Sequence, residues 1–366
     1  QTNFLKDYFS NNTRSELHPL LSAMTGSIKY DGSISFSKLG SDTNIRFDLK
    51  GWGFNTPAPI KKIVGSPLIG EVNIKTFTND KGNPNRASWS GKIGNLYSTQ
   101  GVLSRDDELR HSIGIGAAPN LPPQGLNLNI ASNELNLDAW HDFFVTKQSS
   151  GPQAPDTNSS NIQVTAQVKK LTALDRSWQD TNIVANRKKN IWDLRLSSPQ
   201  VAGQVQYQTA NSANPSGLVS GRLSKLILPD SIPDDAMKAN AQKKPLDIES
   251  IPSLDVTVEN FAWSKAQLGQ LKVKTNTLNN TLKINAIQTN NPQGATTISG
   301  QWLGSTKNTP DHSSLSINMD IKDAGQIISH WTPQKSVEGG QGKVLAEVEW
   351  DGTPFNPKFE TLTGKA

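Results

Sequence analysis

The chain has 366 residues, enough for one large domain or two or three ordinary ones, and its formal net charge is +5. This weak, scattered positive charge argues against a dedicated nucleic-acid binder, which needs a concentrated basic face. The absence of cysteine excludes a disulfide scaffold, a thiol nucleophile and a thiolate metal site.

No apolar run approaches the roughly 18 residues of a membrane span, and no signal peptide is recognisable. The chain begins with Gln1 rather than Met and stops at Ala366, just after what reads as the start of another strand. We therefore interpret the sequence as a segment of a longer protein, with any anchor or signal outside it.

Apolar and polar residues alternate with a period of two along the whole chain and predict strands throughout. Strict alternation gives each strand one apolar and one wet face, which is typical of antiparallel sheet. We predict an all-β chain of about eighteen to twenty strands. In chain order, the clearest runs are centred on Phe47, Val72, Ile113, Leu128, Val164, Leu194, Val256, Leu271, Leu282, Ile317 and Ala346.

Helical signals are few and short. Asp138 is predicted to cap a helix through Phe144, and Asp323 one through Trp331. Asp234 is predicted to open a third. Segments 146–161 and 229–250 are rich in polar residues and are predicted to be flexible loops. Because the alternation resumes unchanged after each loop, we expect one continuous structure over residues 1–366.

The sequence offers few candidates for chemistry. The five histidines lack the spacing of a helix-borne metal site, and no Gly-x-Ser-x-Gly elbow occurs. His141 lies beside Asp138 and Asp142, where a helix cap is favoured over an acid–base pair. Gly114-Ile115-Gly116 is interpreted as a strand end rather than a nucleotide cradle. We predict no catalytic residue, no metal and no cofactor.

Many apolar strand faces with few helices to cover them leave two architectures open. Two sheets could face each other as a sandwich, which composition alone favours. The other possibility is a single long sheet curled into a trough with an apolar concave face.

The most distinctive motif of the chain is GWGFNTPAPIKK at residues 51–62. It resembles a signature of the YhdP family, an AsmA-like group, although Thr56 replaces the leucine of the family's Leu-Pro-x-Pro core. Further motifs follow in family order over nearly the whole chain: LNLDAW at 135–140, WDLRLSSP at 192–199, GRLSKL at 221–226, IPSLDV at 251–256, LGQL at 268–271, SGQW at 299–302 and VEWDGTP at 348–354.

The resemblance implies an envelope protein of Gram-negative bacteria, periplasmic and anchored in the inner membrane by an N-terminal segment absent here. It implies a long antiparallel sheet curled into an elongated open trough, similar to bridge-like lipid transfer proteins. On this reading the chain is an internal segment that conducts phospholipid between inner and outer membranes. The partners implied are phospholipid acyl chains and, through parts absent from this chain, membranes.

Alternation selects the candidate lining of the trough, because every second side chain points to the same face. For each residue, ordinary core packing is the competing interpretation. The candidates are Ile45, Phe47, Leu49, Val72, Ile74, Leu126, Leu128, Ile130, Leu254, Val256, Val258, Leu282, Ile284, Leu315, Ile317, Met319 and Ile321.

Two other functions stay open at this point. One is a structural or chaperone-like periplasmic protein that assists outer-membrane assembly by pairing exposed sheet edges with other β-proteins. The other is a carbohydrate-binding β-sandwich, which would need tryptophans clustered on one exposed surface.

Overall fold

The computed structural model describes residues 18–79, 84–105, 109–147, 161–212, 214–231, 247–264, 266–306, 309–329, 338–354 and 357–366. The chain divides into two compact units, residues 1–189 and residues 190–366. Each unit is described by itself.

In the first unit, nine strands pair in chain order to form what we call the first ladder: β2, β3 and β5 to β11. Strands β1 and β4 pair separately. The elements are α1 (His18–Ser22), β1 (Met24–Gly26), β2 (Lys29–Ser37), β3 (Gly40–Asp48), β4 (Trp52–Phe54), β5 (Ile69–Thr78), β6 (Pro84–Ile93), β7 (Tyr97–Ser104), β8 (Arg110–Ile115), β9 (Gly125–Asn136), α2 (Leu137–Lys147), β10 (Ile162–Ala173) and β11 (Arg176–Lys188).

In the second unit, ten strands pair in chain order to form the second ladder, β12 to β21. The elements are β12 (Ile191–Ser197), β13 (Val201–Gln208), β14 (Leu218–Leu228), a 3₁₀ turn (Ile248–Ser250), β15 (Ser253–Trp263), β16 (Ala266–Leu278), β17 (Thr281–Asn291), β18 (Gly294–Leu303), β19 (His312–Ile321), α3 (Ala324–Ser329), β20 (Gly342–Asp351), a second 3₁₀ turn (Phe359–Thr361) and β21 (Thr363–Lys365).

The prediction of an all-β chain with a few short helices is confirmed. The prediction that the sheet is antiparallel is wrong at three places, because β8 pairs with β9, β9 with β10 and β14 with β15 in parallel. Alternation shows that a strand has one wet face and carries no information about its direction. Each parallel pair is joined by a longer crossover instead of a tight hairpin.

The β8–β9 crossover lies on the polar face of the first ladder. Ser98 Oγ donates to the Ala117 carbonyl at 3.0 Å, and Asn127 Nδ2 donates to the Asn120 carbonyl at 2.8 Å. The Asn120 amide donates to Ser112 Oγ at 2.8 Å. The crossover held by these bonds covers Ser112 and Asn127. Both side chains are therefore buried, although they belong to the hydrophilic face of their strands.

Two predicted helices are present, with one correction. Asp323 Oδ1 accepts from the Gln326 amide at 2.9 Å, as expected of the residue that caps α3. In α2 the capping acceptor is Asn136 Oδ1, which accepts from the Ala139 amide at 2.8 Å. The predicted cap, Asp138, instead accepts from the amides of Leu174 and Asp175 in the β10–β11 hairpin.

Some predicted features fall outside the described residues. They are the helix predicted to open at Asp234 and the end, at Trp331, of the helix predicted to begin at Asp323. Of the predicted loops 146–161 and 229–250, residues 148–160 and 232–246 also lie outside.

Fully buried apolar side chains lie at strand ends, as with Trp302, and also within strands, as with Ala166 and Leu223. In the second unit Ile248, Leu282 and Trp302 form one cluster, with Ile251 packed against it. In the first unit Ala23, Leu49, Trp52 and Leu135 are buried where α1, α2 and the β1–β4 pair meet the ladder.

Candidate functional site

One face of the second ladder carries an uninterrupted row of apolar or glycine positions across nine strands. Paired residues of neighbouring strands lie on the same face, so the register defines the row directly. Every member is half-buried. The row consists of Leu194, Val205, Gly221, Val256, Val273, Ile287, Ile298, Ile317 and Ala346.

The first ladder has a corresponding row on nine strands. Its members are apolar or glycine except for Thr99, and from β3 to β10 all are half-buried. The row consists of Gly32, Ile45, Val72, Gly91, Thr99, Ile113, Leu128, Val164 and Ala185. We call the face bearing this row, in either ladder, the apolar face.

The opposite faces are hydrophilic. In the first ladder the adjacent row reads Asn44, Asn73, Ser90, Gln100, Ser112, Asn127, Gln163 and Asn186. Ion pairs such as Lys92–Glu71 at 3.4 Å and Lys274–Asp255 at 3.4 Å decorate these faces. Exposed ion pairs of this kind each contribute only about 0.2–1 kcal/mol to the stability of the fold, so their main effect is to keep the face hydrated.

The structure places the sequence-predicted lining residues on the two apolar faces. The first ladder holds Ile45, Phe47, Val72, Ile74, Leu126, Leu128 and Ile130 on neighbouring rows, all half-buried. The second holds Leu254, Val256, Val258, Leu282, Ile284, Leu315, Ile317, Met319 and Ile321. Leu49, Val258, Leu282 and Ile284 are buried, so ordinary packing accounts for them.

Two turns, after β18 and after β20, cover one end of the apolar face in the second ladder, and each is held by a hydrogen bond from a tryptophan. Trp302 is completely buried, and its Nε1 donates to Asp311 Oδ1 at 3.2 Å. The same carboxylate oxygen accepts from the Ser305 amide at 2.9 Å, which fixes the turn after β18. Trp350 Nε1 donates to the Thr353 carbonyl at 3.0 Å and holds the turn after β20.

In the first unit the GWGFNTPAPIKK motif forms the cap. Phe54 and Lys62 exchange backbone hydrogen bonds, and the Lys62 ammonium, buried to 8% exposure, donates to the carbonyls of Trp52 at 2.7 Å and Ile63 at 3.1 Å. Trp140 Nε1 of α2 donates to the Ala58 carbonyl at 2.9 Å. The motif therefore ties α2 to the strand ends beside Leu49.

Four residues on the first apolar face were not predicted: Trp89, Tyr97, Thr99 and His111. His111 Nε2 and Thr99 Oγ1 are 2.7 Å apart, and the rings of Trp89 and His111 meet edge to face at 5.5 Å. Burial lowers the pKa of His111 and raises the pKa of Tyr97. A hydrogen bond with Thr99 offsets part of the rise in the pKa of Tyr97. The sequence signal that could have identified them is the alternation itself, because these residues occupy positions where the pattern of their strands calls for apolar side chains.

Of the residues considered for chemistry, His141, Asp142 and Asp138 are described by the structure and have the following surroundings. His141 and Asp142 lie 3.5 Å apart, but both side chains are more than 70% exposed. Asp138 is engaged by the hairpin amides. Within the described ranges no group of three or more His, Asp or Glu residues could hold a metal ion, and no helix is long and apolar enough to cross a membrane.

The tryptophans that the structure describes do not form the exposed cluster that sugar binding would need. Trp52, Trp178, Trp302 and Trp350 are buried. Among the tryptophans the structure describes, Trp263 alone is strongly exposed, at 49%.

Comparison with known proteins gives one match. The family model described as YhdP protein matches residues 10–366, which is nearly the whole chain. No curated protein matches and no solved structure matches.

Proposed function

The chain belongs to the YhdP family, a family of envelope proteins, and on this premise we propose that it conducts phospholipid between the inner and outer membranes along its apolar faces. The proposal places the chain in the periplasm. It assigns the chain no catalytic residue and no cofactor.

One observation carries the proposal: the apolar row of the second ladder crosses nine strands without a polar side chain, and every member is half-buried. The interior of a two-sheet sandwich would bury such a row fully. Half-buried apolar side chains in long rows fit a single sheet curled into an open trough, with space left beside it for a flexible apolar ligand.

The energetics favour such a path. Exposing acyl chains to water costs about 0.8 kcal/mol per CH₂, so two long chains cost on the order of 20 kcal/mol. A row that continues from strand to strand removes most of that cost at every position. The hydrophilic opposite face and the open side of the trough leave the lipid headgroup in water.

The test compares two neighbouring residues of β19. Ile317 lies in the apolar row, and Asn318 is the exposed residue on the opposite face. Ile317→Asp puts an unpaired charge on the proposed path, whereas Asn318→Asp adds the same charge to the wet face. We expect the wild-type chain and Asn318→Asp to retain phospholipid in native mass spectrometry, and Ile317→Asp to lose it.

Folding is monitored by circular dichroism in all three proteins. A folded Ile317→Asp protein that still carries phospholipid would contradict the proposed path. A wild-type protein that neither retains nor takes up phospholipid would contradict the proposed function as a whole.

A further inference from the structure

Strand β7 interrupts the apolar face of the first ladder with hydrogen-bonding side chains. Tyr97 and Thr99 occupy successive inward positions of β7, and His111 occupies the inward position of β8 opposite Gly101. Their register neighbours are apolar: Ile93 and Ile115 flank Tyr97, and Leu126 lies beyond His111. We call Tyr97, Thr99 and His111 the polar station.

Hydrogen bonds connect the members of the station. Thr99 Oγ1 donates to the Ser112 carbonyl at 3.1 Å and lies 2.7 Å from His111 Nε2. A side-chain hydrogen bond also joins Thr99 to Tyr97. Burial lowers the pKa of the half-buried His111 and so favours the neutral imidazole.

The indole ring of Trp89 packs beside the polar station. A Cβ atom added at Gly101 would lie 2.0 Å from Trp89 Cζ2, so the indole occupies the space that a side chain at this position would fill. The ring meets His111 edge to face at 5.5 Å. The station is therefore an ordered arrangement, held by Ser112, Gly101 and Trp89.

We propose that the polar station binds the glycerol ester region of a diacyl lipid, with the Tyr97 hydroxyl donating to an ester carbonyl. The acyl chains then lie along the apolar rows on either side of β7, past Val72 and Leu128. Tyr97 is half-buried on the apolar face, and its hydroxyl also makes a hydrogen bond with Thr99. This inference rests on the proposed function and adds selectivity to it: the first ladder distinguishes ester lipids from molecules that offer only hydrocarbon.

The chemistry of the ester explains the selectivity. An ester carbonyl taken from water onto an apolar face loses its hydrogen bonds, and the station replaces one of them. A hydrogen bond to a neutral partner changes an equilibrium by about three- to tenfold. A lipid without ester carbonyls gains nothing from the station.

The experiment measures binding of dioleoyl phosphatidylglycerol and of its diether analogue, in which methylenes replace the ester carbonyls, to the full chain. We expect the wild-type chain to prefer the diester by about three- to tenfold. Tyr97→Phe, which removes only the hydroxyl, should bind both lipids at the affinity of the diether. The matched control is Tyr207→Phe, on the apolar face of the second ladder between Trp192 and Val219, which should keep the preference.

Each outcome has one meaning. Equal binding of diester and diether by the wild-type chain overturns the polar station and leaves the proposed function standing. A preference that persists in Tyr97→Phe also overturns it. Absence of binding of either lipid by the wild-type chain overturns the proposed function itself. Unchanged diether affinity shows that a variant is folded.

Discussion

Trp302 shows what single buried side chains contribute to this protein. It is completely buried against Ile248 and Leu282, while its Nε1 reaches Asp311. An aromatic residue in such a place stabilises both the apolar face and the turn that follows the strand. At the residue scale, therefore, Trp302 belongs to a packed core at a strand end, whereas the members of the apolar row of the second ladder are half-buried.

We expect Trp302→Ala to lower the free energy of unfolding by about 3–5 kcal/mol, the usual cost of removing a buried aromatic side chain. Trp263→Ala, at a position 49% exposed, should cost far less. Urea unfolding of both variants measures the difference. Similar losses for the two would mean that the Trp302 cluster is not a core.

Gly101 gives a second prediction at this scale. Because a Cβ there would strike the Trp89 ring, Gly101→Ala must displace the indole, and we expect a loss of about 1–3 kcal/mol with a shift in tryptophan emission. The control is Gly342→Ala in β20, where an added Cβ meets nothing within 4 Å. If Gly101→Ala left emission and stability unchanged, the placement of Trp89 would be wrong.

The half-buried imidazole of His111 predicts a dependence of stability on pH. Its pKa is lowered in the folded chain, whereas in the unfolded chain it titrates near about 6.5. As the pH falls below that value, the unfolded chain takes up a proton that the folded chain does not, so stability present above it is lost. By strand register, no charged side chain of β6 to β9 shares its face in the described residues.

Unfolding in urea at pH 7.5 and at pH 5.5 tests this dependence. The difference between the two pH values should be smaller in His111→Leu than in the wild-type chain. His141→Leu, which removes an exposed histidine, should keep the wild-type difference. A wild-type chain that gains stability on acidification to pH 5.5 would contradict the prediction.

At the scale of elements, bulges keep the apolar faces continuous where the sequence pattern changes phase. In β17 the register shifts between Ile284 and Ile287, three residues apart, and both side chains remain on the apolar face. In β15 a similar shift separates Val258 from Phe261. An inserted residue resets the alternation without turning the strand over, because two residues then oppose one on the partner strand.

Helix α2 depends on a contact that is distant in sequence. Asp138 Oδ1 and Oδ2 accept from the amides of Leu174 and Asp175 at 2.8 and 2.9 Å, and thus join the helix to the β10–β11 hairpin. We expect Asp138→Ala to speed amide hydrogen exchange at the hairpin by about tenfold, the effect of losing a hydrogen bond to a charged group at a partly exposed site.

The neighbouring substitution His141→Ala serves as the control, since that side chain is 75% exposed and its recorded partner is Asp142. It should leave hairpin exchange unchanged. Equal exchange rates in Asp138→Ala and the wild-type chain would show that the hairpin is held by other contacts.

At the scale of the whole molecule, each unit follows one plan: strands pair in chain order, with one apolar and one hydrophilic face. Each ladder is largely antiparallel but contains parallel strand pairs that are joined by crossover connections. Hydrogen-bonded turns cover some of the strand ends. Such a quasi-one-dimensional order extends a face strand by strand without changing its character. A segment built this way can form part of a long path without containing a closed pocket.

Lipid occupancy should stabilise the folded chain. A ligand at a hundred times its dissociation constant adds about 2.7 kcal/mol to the free energy of unfolding. We expect delipidated wild-type protein to gain about 2–4 °C in melting temperature on adding phospholipid micelles. Ile317→Asp should gain less, and a gain equal to that of the wild-type chain would contradict binding on the second apolar face.

The sequence by itself determined the strand content, the apolar face of most strands and the family. A period of two in the sequence shows which face of a strand carries the apolar side chains. Ile45, Val72, Leu128 and Ile317 accordingly lie on the apolar faces, as alternation predicts. Tertiary structure alone decided the three parallel pairings, since alternation is the same for either direction. It also decided which of the predicted lining residues are buried, as at Leu282 beside Ile248, and it brought Tyr97, Thr99 and His111 together across two strands. These features depend on contacts between residues far apart in the chain, which a local pattern does not encode.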